Sequence, residues 1–324
     1  MSYVPKISVI IPTYNRSKYL TKIVEILVCS KIPNEIIICD SRSKDKTFEI
    51  INNIKFRFRK HIIKYFNVNK NSNSIKRNVG IKESISKYLV FLDDDCIPQD
   101  NFLEDYYFIL EKYKHKNLIF CGTVNFPKIK KNNFISYRDS RHFKIDRTKK
   151  IGIQNLHPRK IVTMNMGLKK NILISNKIFF SEKFGKYGFE DYEFGFRLQK
   201  NLIKIVPCCP NVCHYDLRDL EKYLNKFKFV GYESSKLLKE INVQASLENN
   251  YVKLENYFII KLISKFKLCL KLLIFFERKM IILEKKVHLP DYLYKFLTIN
   301  SYLIGYFSFR QDIKIYNKIK KWYL

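Results

Sequence analysis

The chain has 324 residues, with 61 Lys and Arg against 30 Asp and Glu, for a formal net charge of +31 at pH 7. With 46% hydrophobic residues, 22 Tyr and 26 Phe it can bury a substantial core, which excludes an intrinsically disordered chain. The basic excess favours anionic partners, whether nucleic acid, anionic lipid or phosphorylated small molecules, and names none of them. The first residues, MSYVPKISVIIPTYN, lack the basic start, long apolar stretch and cleavage site of a signal peptide. No stretch reaches the roughly 18 uninterrupted apolar residues of a membrane span. A cytoplasmic protein with its eight cysteines reduced is therefore expected.

KISVIIP (6–12) and EIIICD (35–40) are short, β-branched apolar runs, as in strands covered on both faces. Between them, Leu20, Ile23 and Leu27 share one helical stripe. FRKHIIKYF offers a third strand, SIKRNVGIKESIS opens a helix, and YLVFLDDD supplies the next strand. DNFLEDYYFILEKY is helical, with Asp100 or Asn101 as its cap. This alternation predicts a mostly parallel sheet with right-handed crossovers. Residues 127–160 are polar and poorly periodic, an excursion over the site. IVTMNMGLKKNILI reads as strand, turn, strand; FGKYGFEDYEFGFRLQKN as an amphipathic helix carrying Phe194 and Leu198; LIKIVPCCPNVCHYD as a late strand and turn. From about 218 the pattern is helical and basic. The cysteines of CCPNVCH lack the second ligand pair that structural zinc requires.

YLVFLDDDCIP (88–98) runs an apolar strand into three adjacent acids, a costly arrangement unless a cation or hydrogen-bond donors compensate. Asp40 and Asp93–Asp95 both fall at the carboxyl ends of expected parallel strands, where such sheets bind ligands. Glu190 and Asp191 open an expected helix, whose N-terminus favours negative charge.

SVIIPTYNRSKYL, the strand ending in Asp40, KRNVGI, FLDDDCIP and GFEDYEFGFRL, in this order, resemble a family 2 glycosyltransferase of the GT-A fold, over roughly residues 5–216. The Glu-Asp segment is similar to that of galactosyltransferase relatives. The resemblance implies a GT-A nucleotide-sugar-binding fold with a mostly parallel sheet flanked by helices and a C-terminal helical extension. It implies transfer of a sugar, with inversion, from a nucleotide diphosphate sugar to a saccharide hydroxyl, with UDP as the default nucleotide. Asp95 is then the direct ligand of Mn2+ or Mg2+, Asp93 meets the ribose or the metal shell, and Asp94 stands beside them. His214 resembles the late histidine that completes the metal site; a packed polar histidine is the competing reading. Asp191 takes the base role and Glu190 orients the acceptor, against plain helix capping with Glu193 and Arg197 as an i,i+4 pair. Pro12, Thr13, Tyr14 and Asn15 fall where relatives cradle base and ribose, joined by Asp40. Arg77 and Asn78 lie in the segment that crosses the nucleotide, while Lys76 is open between that role and a surface helix. Asn165, between Met164 and Met166, falls where relatives line the sugar pocket, or else belongs to core and turn.

One departure stands out. The family usually carries Asp-Asp-Gly-Ser or Asp-Asn-Gly-Ser after the second strand; here DSRSKDKT (40–47) puts Ser41 and Arg42 in place of the acid or amide and the glycine. Arg42 could alter the loop and reach phosphate or base. A nucleic-acid binder leaves the acidic cluster unexplained, and PTYNRS is not a dinucleotide-binding glycine fingerprint. The alternative that stays open is a noncatalytic basic protein associated with membrane or nucleic acid. The expected organisation is a catalytic domain over 1–217 and a basic helical region over 218–324. Within the latter, residues 257–283 alternate a broad apolar surface with Lys261, Lys265, Lys267 and Lys271. This fits peripheral contact with an anionic membrane at the inner face of the cell, near a lipid-linked acceptor, or alternatively packing into the core.

Overall fold

The computed structural model describes residues 4–99, 101–127, 133–145, 154–184, 189–216, 218–240 and 267–310. Asp100, Lys261 and Lys265 lie outside these residues. The described chain forms two compact units: one of residues up to 127, 139–184 and 190–216, the other of 133–138, Phe189 and the residues from 218 onward.

The first unit is built on an eight-stranded sheet whose strands, from one edge to the other, are residues 62–67, 34–40, 7–13, 88–92, 165–169, 118–125, 204–214 and 96–98. Its left half follows the β-branched runs: β1 (Ile7–Thr13), β2 (Asn34–Asp40), β3 (Ile62–Asn67) and β4 (Tyr88–Leu92) are all parallel. Every residue of β1, β2 and β4 is buried, as a sheet covered on both faces requires. The crossovers are α1 (Leu20–Val28), α2 (Thr47–Arg57) and α3 (Asn73–Glu83). Beyond β4 the sheet is mixed. β7 (Asn165–Lys169) runs against both β4 and β6 (Leu118–Asn125), β6 is parallel to β8 (Lys204–His214), and β5 (Cys96–Pro98) runs against β8.

Two local expectations change. LIFCGTVN, left unassigned by pattern, is β6. KNILIS, expected as a strand, is helix α6 (Lys170–Ser175): both edges of β7 are already taken, so the chain leaves the sheet and turns Ile172 and Leu173 inward. LIKIVPCCPNVCHYD supplies the expected late strand, β8, which runs on to His214, and its prolines sit beside a register shift between Cys121 and Thr123. Helix α4 (Phe102–Lys112) starts after Asn101, which takes a left-handed φ of 58° and makes no side-chain cap. Helix α7 (Glu190–Lys200) buries Phe194 and Leu198.

The second unit gathers residues of α5 (Asn133–Ser140) with α8 (Leu220–Glu240), α9 (Lys267–Glu284) and α10 (Asp291–Arg310). Phe134, Tyr137, Leu224, Tyr294 and Leu297 form its apolar core. Helices α8 and α10 meet backbone to backbone. A Cβ on Gly231 would lie 2.0 Å from the Tyr302 carbonyl oxygen, and one on Gly305 would lie 1.8 Å from that of Lys228. A buried Lys228–Glu277 ion pair ties α8 to α9, and Ser301 of α10 donates to Glu277. No described helix is long and apolar enough to cross a membrane.

Candidate active site

The parallel register sets Thr13 beside Asp40, so the loops after β1 and β2 start level. They are stitched together: Asn15 N–H donates to Ser43 Oγ at 2.7 Å, and Lys44 N–H donates to Asn15 Oδ1 at 2.7 Å. Asp40 is buried and accepts from Ser43 Oγ at 2.6 Å and Tyr65 OH at 3.0 Å. Arg42 takes the turn at φ 56°, where glycine would sit without strain, and its Nη2 donates to Asn69 Oδ1 at 2.5 Å. The loop thus keeps a left-handed residue despite losing glycine. Pro12 is buried within β1, and Tyr14 is half-buried.

After Leu92 the chain turns through Asp93–Asp95 into β5, whose antiparallel register places Cys96 opposite His214. That pairing carries the imidazole to the acids: His214 Nε2 lies 3.2 Å from Asp95 Oδ1. Asp94 and Asp95 are both buried. Thr13 Oγ1 donates to Asp94 Oδ2 at 2.7 Å, and Arg16 Nη1 pairs with Asp94 Oδ1 at 3.4 Å and with Asp95 Oδ2. Burial pushes the Asp94 carboxyl up to about 7, against the pull of Arg16. Burial acts to lower the Arg16 guanidinium, but Asp95, Asp94, Asp216 and Asp93 raise it above its ordinary value.

Arg77, fully buried on α3, joins the two acidic motifs. Its Nη2 lies 3.1 Å from Asp93 Oδ1 and its Nη1 lies 3.2 Å from Asp191 Oδ1, with the guanidinium 5.3 Å from the Phe180 ring centre. Burial opposes its charge, and Asp191, Asp93 and Glu190 outweigh that to raise it. Neighbouring Lys76 is buried, not on a surface face, and donates to the Thr13 carbonyl at 3.1 Å; burial pushes its ammonium down to about 8. Glu190 is buried at the start of α7, immediately after Phe189, which holds a φ of 84°. Glu193 and Arg197 form the expected i,i+4 pair, with Nη2 to Oε2 at 2.8 Å, while Asp191 turns to Arg77.

Two expected residues are engaged elsewhere. Asn78 clasps the chain at Phe180, accepting from its N–H at 2.9 Å and donating to its carbonyl at 2.8 Å, with a further bond to Glu182 at 2.9 Å. Asn165 is buried with both amide hydrogens spent on the carbonyls of Thr123 and Pro210, at 2.9 and 3.0 Å, while Tyr106 donates to its oxygen at 2.6 Å. Arg16, Cys96 and Asp216 join the site without having been singled out in the sequence. Arg16 follows the PTYN motif directly and Asp216 lies two residues past His214, so adjacency was the one signal for either.

Asp95, Cys96 and His214 each offer a ligand atom within 4.8 Å of the others, the metal-capable group found among the described residues. Burial raises the Cys96 thiol well above its ordinary value, so it stays protonated and donates weakly to Asp95 Oδ1 at 3.8 Å. A carboxylate and an imidazole remain as donors, and His214 Nδ1 is buried without a hydrogen-bond partner among the described residues. This oxygen–nitrogen set fits Mn2+ or a similar cation better than a thiolate-seeking ion. The Asp93 carboxylate is turned to Arg77, outside the trio.

The chain is 33% identical over 151 residues to an uncharacterized glycosyltransferase of Haemophilus influenzae, covering 44% of this chain and 60% of that protein. It is 30% identical over 125 residues to the poly(ribitol-phosphate) beta-N-acetylglucosaminyltransferase TarS of Staphylococcus aureus, covering 37% of this chain and 22% of TarS. The matched stretches thus span less than two thirds of either relative. In structure the chain resembles S. aureus TarS 1-349 in complex with UDP, with a TM-score of 0.52, 18% identity, and coverage of 95% of this chain and 92% of the other. A likeness at that identity bears on the fold alone, and it agrees with the expected GT-A type. The glycosyl transferase family 2 model matches residues 8–172, which contain Asp40, Arg77 and the acidic turn but neither Asp191 nor His214. That match takes in just over half of the chain, and the chain belongs to glycosyl transferase family 2.

Proposed function

We propose that the protein is an inverting, divalent-metal-dependent glycosyltransferase, moving a hexosyl or N-acetylhexosaminyl group from a UDP-sugar to a saccharide hydroxyl in surface-polysaccharide or glycan synthesis. The observation that carries this reading is Arg77, which links Asp93 of the acidic turn to Asp191, so donor-side carboxylates and a candidate base share one ion-pair chain. Asp95 and His214 would hold a divalent cation, which supplies charge stabilisation for the departing diphosphate when bound. The stitched loops around Thr13, Tyr14, Asn15 and Asp40 take the base and ribose. Asp191, at a helix N-terminus and partly open to solvent, accepts the acceptor hydroxyl proton as that oxygen attacks the anomeric carbon opposite the diphosphate. Arg77 orients Asp191, and Glu190 helps to set the acceptor. Asn78 and Asn165, with their amides engaged, brace the walls of this site.

The test is transfer and hydrolysis across a panel of nucleotide sugars, with Mn2+ or chelator, reading product anomeric configuration by NMR. Inverted product that disappears in excess chelator is expected. Retained configuration would end the single-displacement reading, and full activity in chelator would end the metal reading.

The second unit supports placement at the inner, anionic face of a membrane, beside a lipid-linked acceptor. Leu268, Leu272, Phe275 and Ile282 of α9, with Tyr292, Phe296 and Ile299 of α10, are exposed apolar side chains, and Phe276 and Phe296 meet edge-on at 5.5 Å. Exposed Lys271, Arg278, Lys279 and Lys295 accompany them. Residues 257–266 of the expected lysine-bearing helix lie outside the described residues. Co-sedimentation with anionic but not neutral vesicles, weakened by salt, is the expected result.

A further inference from the structure

Arg16 pairs with two of the three acids of the turn, Asp94 and Asp95. Its Nη1 reaches Asp94 Oδ1 at 3.4 Å and pairs with Asp95 Oδ2, while the opposite oxygen of Asp95 faces His214 at 3.2 Å. A divalent ion between Asp95 and His214 would therefore share a carboxylate with a guanidinium. Like charges at such a separation repel strongly in a buried setting. Arg16 is also well placed to leave. Its side chain is 39% exposed, against 7% for each carboxylate, and it follows Asn15, which takes a left-handed φ of 50°. A guanidinium is, in addition, a favoured partner of phosphate oxygens, which it binds in bidentate fashion.

We propose that Arg16 competes with the divalent cation for the Asp94–Asp95 carboxylates and is drawn off by the donor diphosphate, so that metal and nucleotide enter together. This rests on the metal-dependent reading above. Without diphosphate, Arg16 keeps the carboxylates paired and the cation is held weakly. With diphosphate, the guanidinium moves onto phosphate and the carboxylates become available. Coupling of this kind is reciprocal, so the cation strengthens nucleotide binding by the same factor.

The experiment is Mn2+ titration of the full chain, followed by the electron paramagnetic resonance of free Mn2+, with and without UDP, each UDP titration being read against a protein-free UDP blank that accounts for Mn2+ held by the nucleotide alone. Wild type, Arg16→Gln and Arg16→Lys are compared, with Arg57→Gln as a control, since Arg57 pairs with Glu25 on the surface. Wild type and the control should bind Mn2+ weakly alone and at least about tenfold more tightly with UDP, the usual lower range of such couplings. Arg16→Gln should bind Mn2+ more tightly than wild type without UDP and so show a smaller gain with UDP, the remainder coming from the diphosphate's own attraction for the cation. Arg16→Lys, which keeps the charge, should resemble wild type. In thermal melts Mn2+ alone should stabilise Arg16→Gln more than wild type. Equal Mn2+ affinity of wild type and Arg16→Gln without UDP would overturn the competition while leaving the metal site standing. Absence of Mn2+ binding in every protein, with UDP present, would remove the metal reading and the competition with it.

Discussion

Each unit of the molecule buries a basic side chain among acids, and the two do opposite things with it. In the first, Arg77 is almost wholly buried, but its partners Asp93 and Asp191 keep 25% and 36% of their side-chain surface exposed. In the second, Lys228 and Glu277 keep 11% and 2%, and the hydrogen-bonding capacity of Glu277 is shared with Ser301. A charge whose partners reach solvent can meet a ligand; a sealed pair can only hold helices in register. Desolvation is costly in both places, so the sealed pair adds specificity of packing more than stability. The open one keeps charge where a substrate can use it.

The contrast can be broken most directly at Asp191. Asp191→Asn should lower sugar transfer by about 100-fold or more, the scale of a lost general base, while nucleotide binding and melting temperature stay near wild type. Calorimetry beside a transfer assay separates the two. A variant that unfolds instead would make the Arg77 cluster as structural as its counterpart.

Glu277→Gln is the complementary change. Removing the Glu277 charge opposite the buried Lys228 should cost about 3–5 kcal/mol in urea unfolding, while Lys228→Met combined with Glu277→Leu should recover most of it. If the single variant proves harmless, the pair is not sealed as described.

Lys76 sharpens the comparison through pH. Its folded pKa of about 8 lies below the unfolded 10.5, so between these values the unfolded chain binds more protons and stability rises with pH. Below pH 8 the folded state carries the full cost of the buried ammonium. Wild type should therefore gain on the order of 3 kcal/mol from this group between pH 8 and 10.5, and Lys76→Met should lose that slope. Urea midpoints across the range measure it.

The smallest effect is expected at Arg42. Relief of its left-handed backbone in Arg42→Gly should stabilise the fold by about 0.5–1 kcal/mol, after allowing for the exposed bond to Asn69 and the freer unfolded chain. A loss of stability would mean that the Asn69 contact outweighs the strain.

The left half of the sheet was legible because β1, β2 and β4 are buried on both faces, and such strands need uninterrupted apolar runs. The ends of those strands, Thr13, Asp40 and Asp93–Asp95, were legible for the same reason. The antiparallel half was not. KNILIS is apolar enough for a strand, and only the occupied edges of β7 make it a helix. The late strand through PCCPNV was legible, but not the register shift against β6 beside its prolines. Asn78 and Asn165 look like ligand contacts in a row of letters, because the backbone groups and the Glu182 and Tyr106 side chains that engage them are distant in sequence.

By itself, then, the sequence determined the parallel α/β core, the acidic strand ends and the basic excess, since hydrophobic period and adjacent charge are local properties. Tertiary structure alone decided which cations answer Asp93–Asp95 and Asp191. Arg16 lies 79 residues from Asp95, Arg77 lies 114 from Asp191, and His214 reaches Asp95 only because β5 pairs with the end of β8. Electrostatic energy depends on separation in space and on burial, and neither is written in the order of residues.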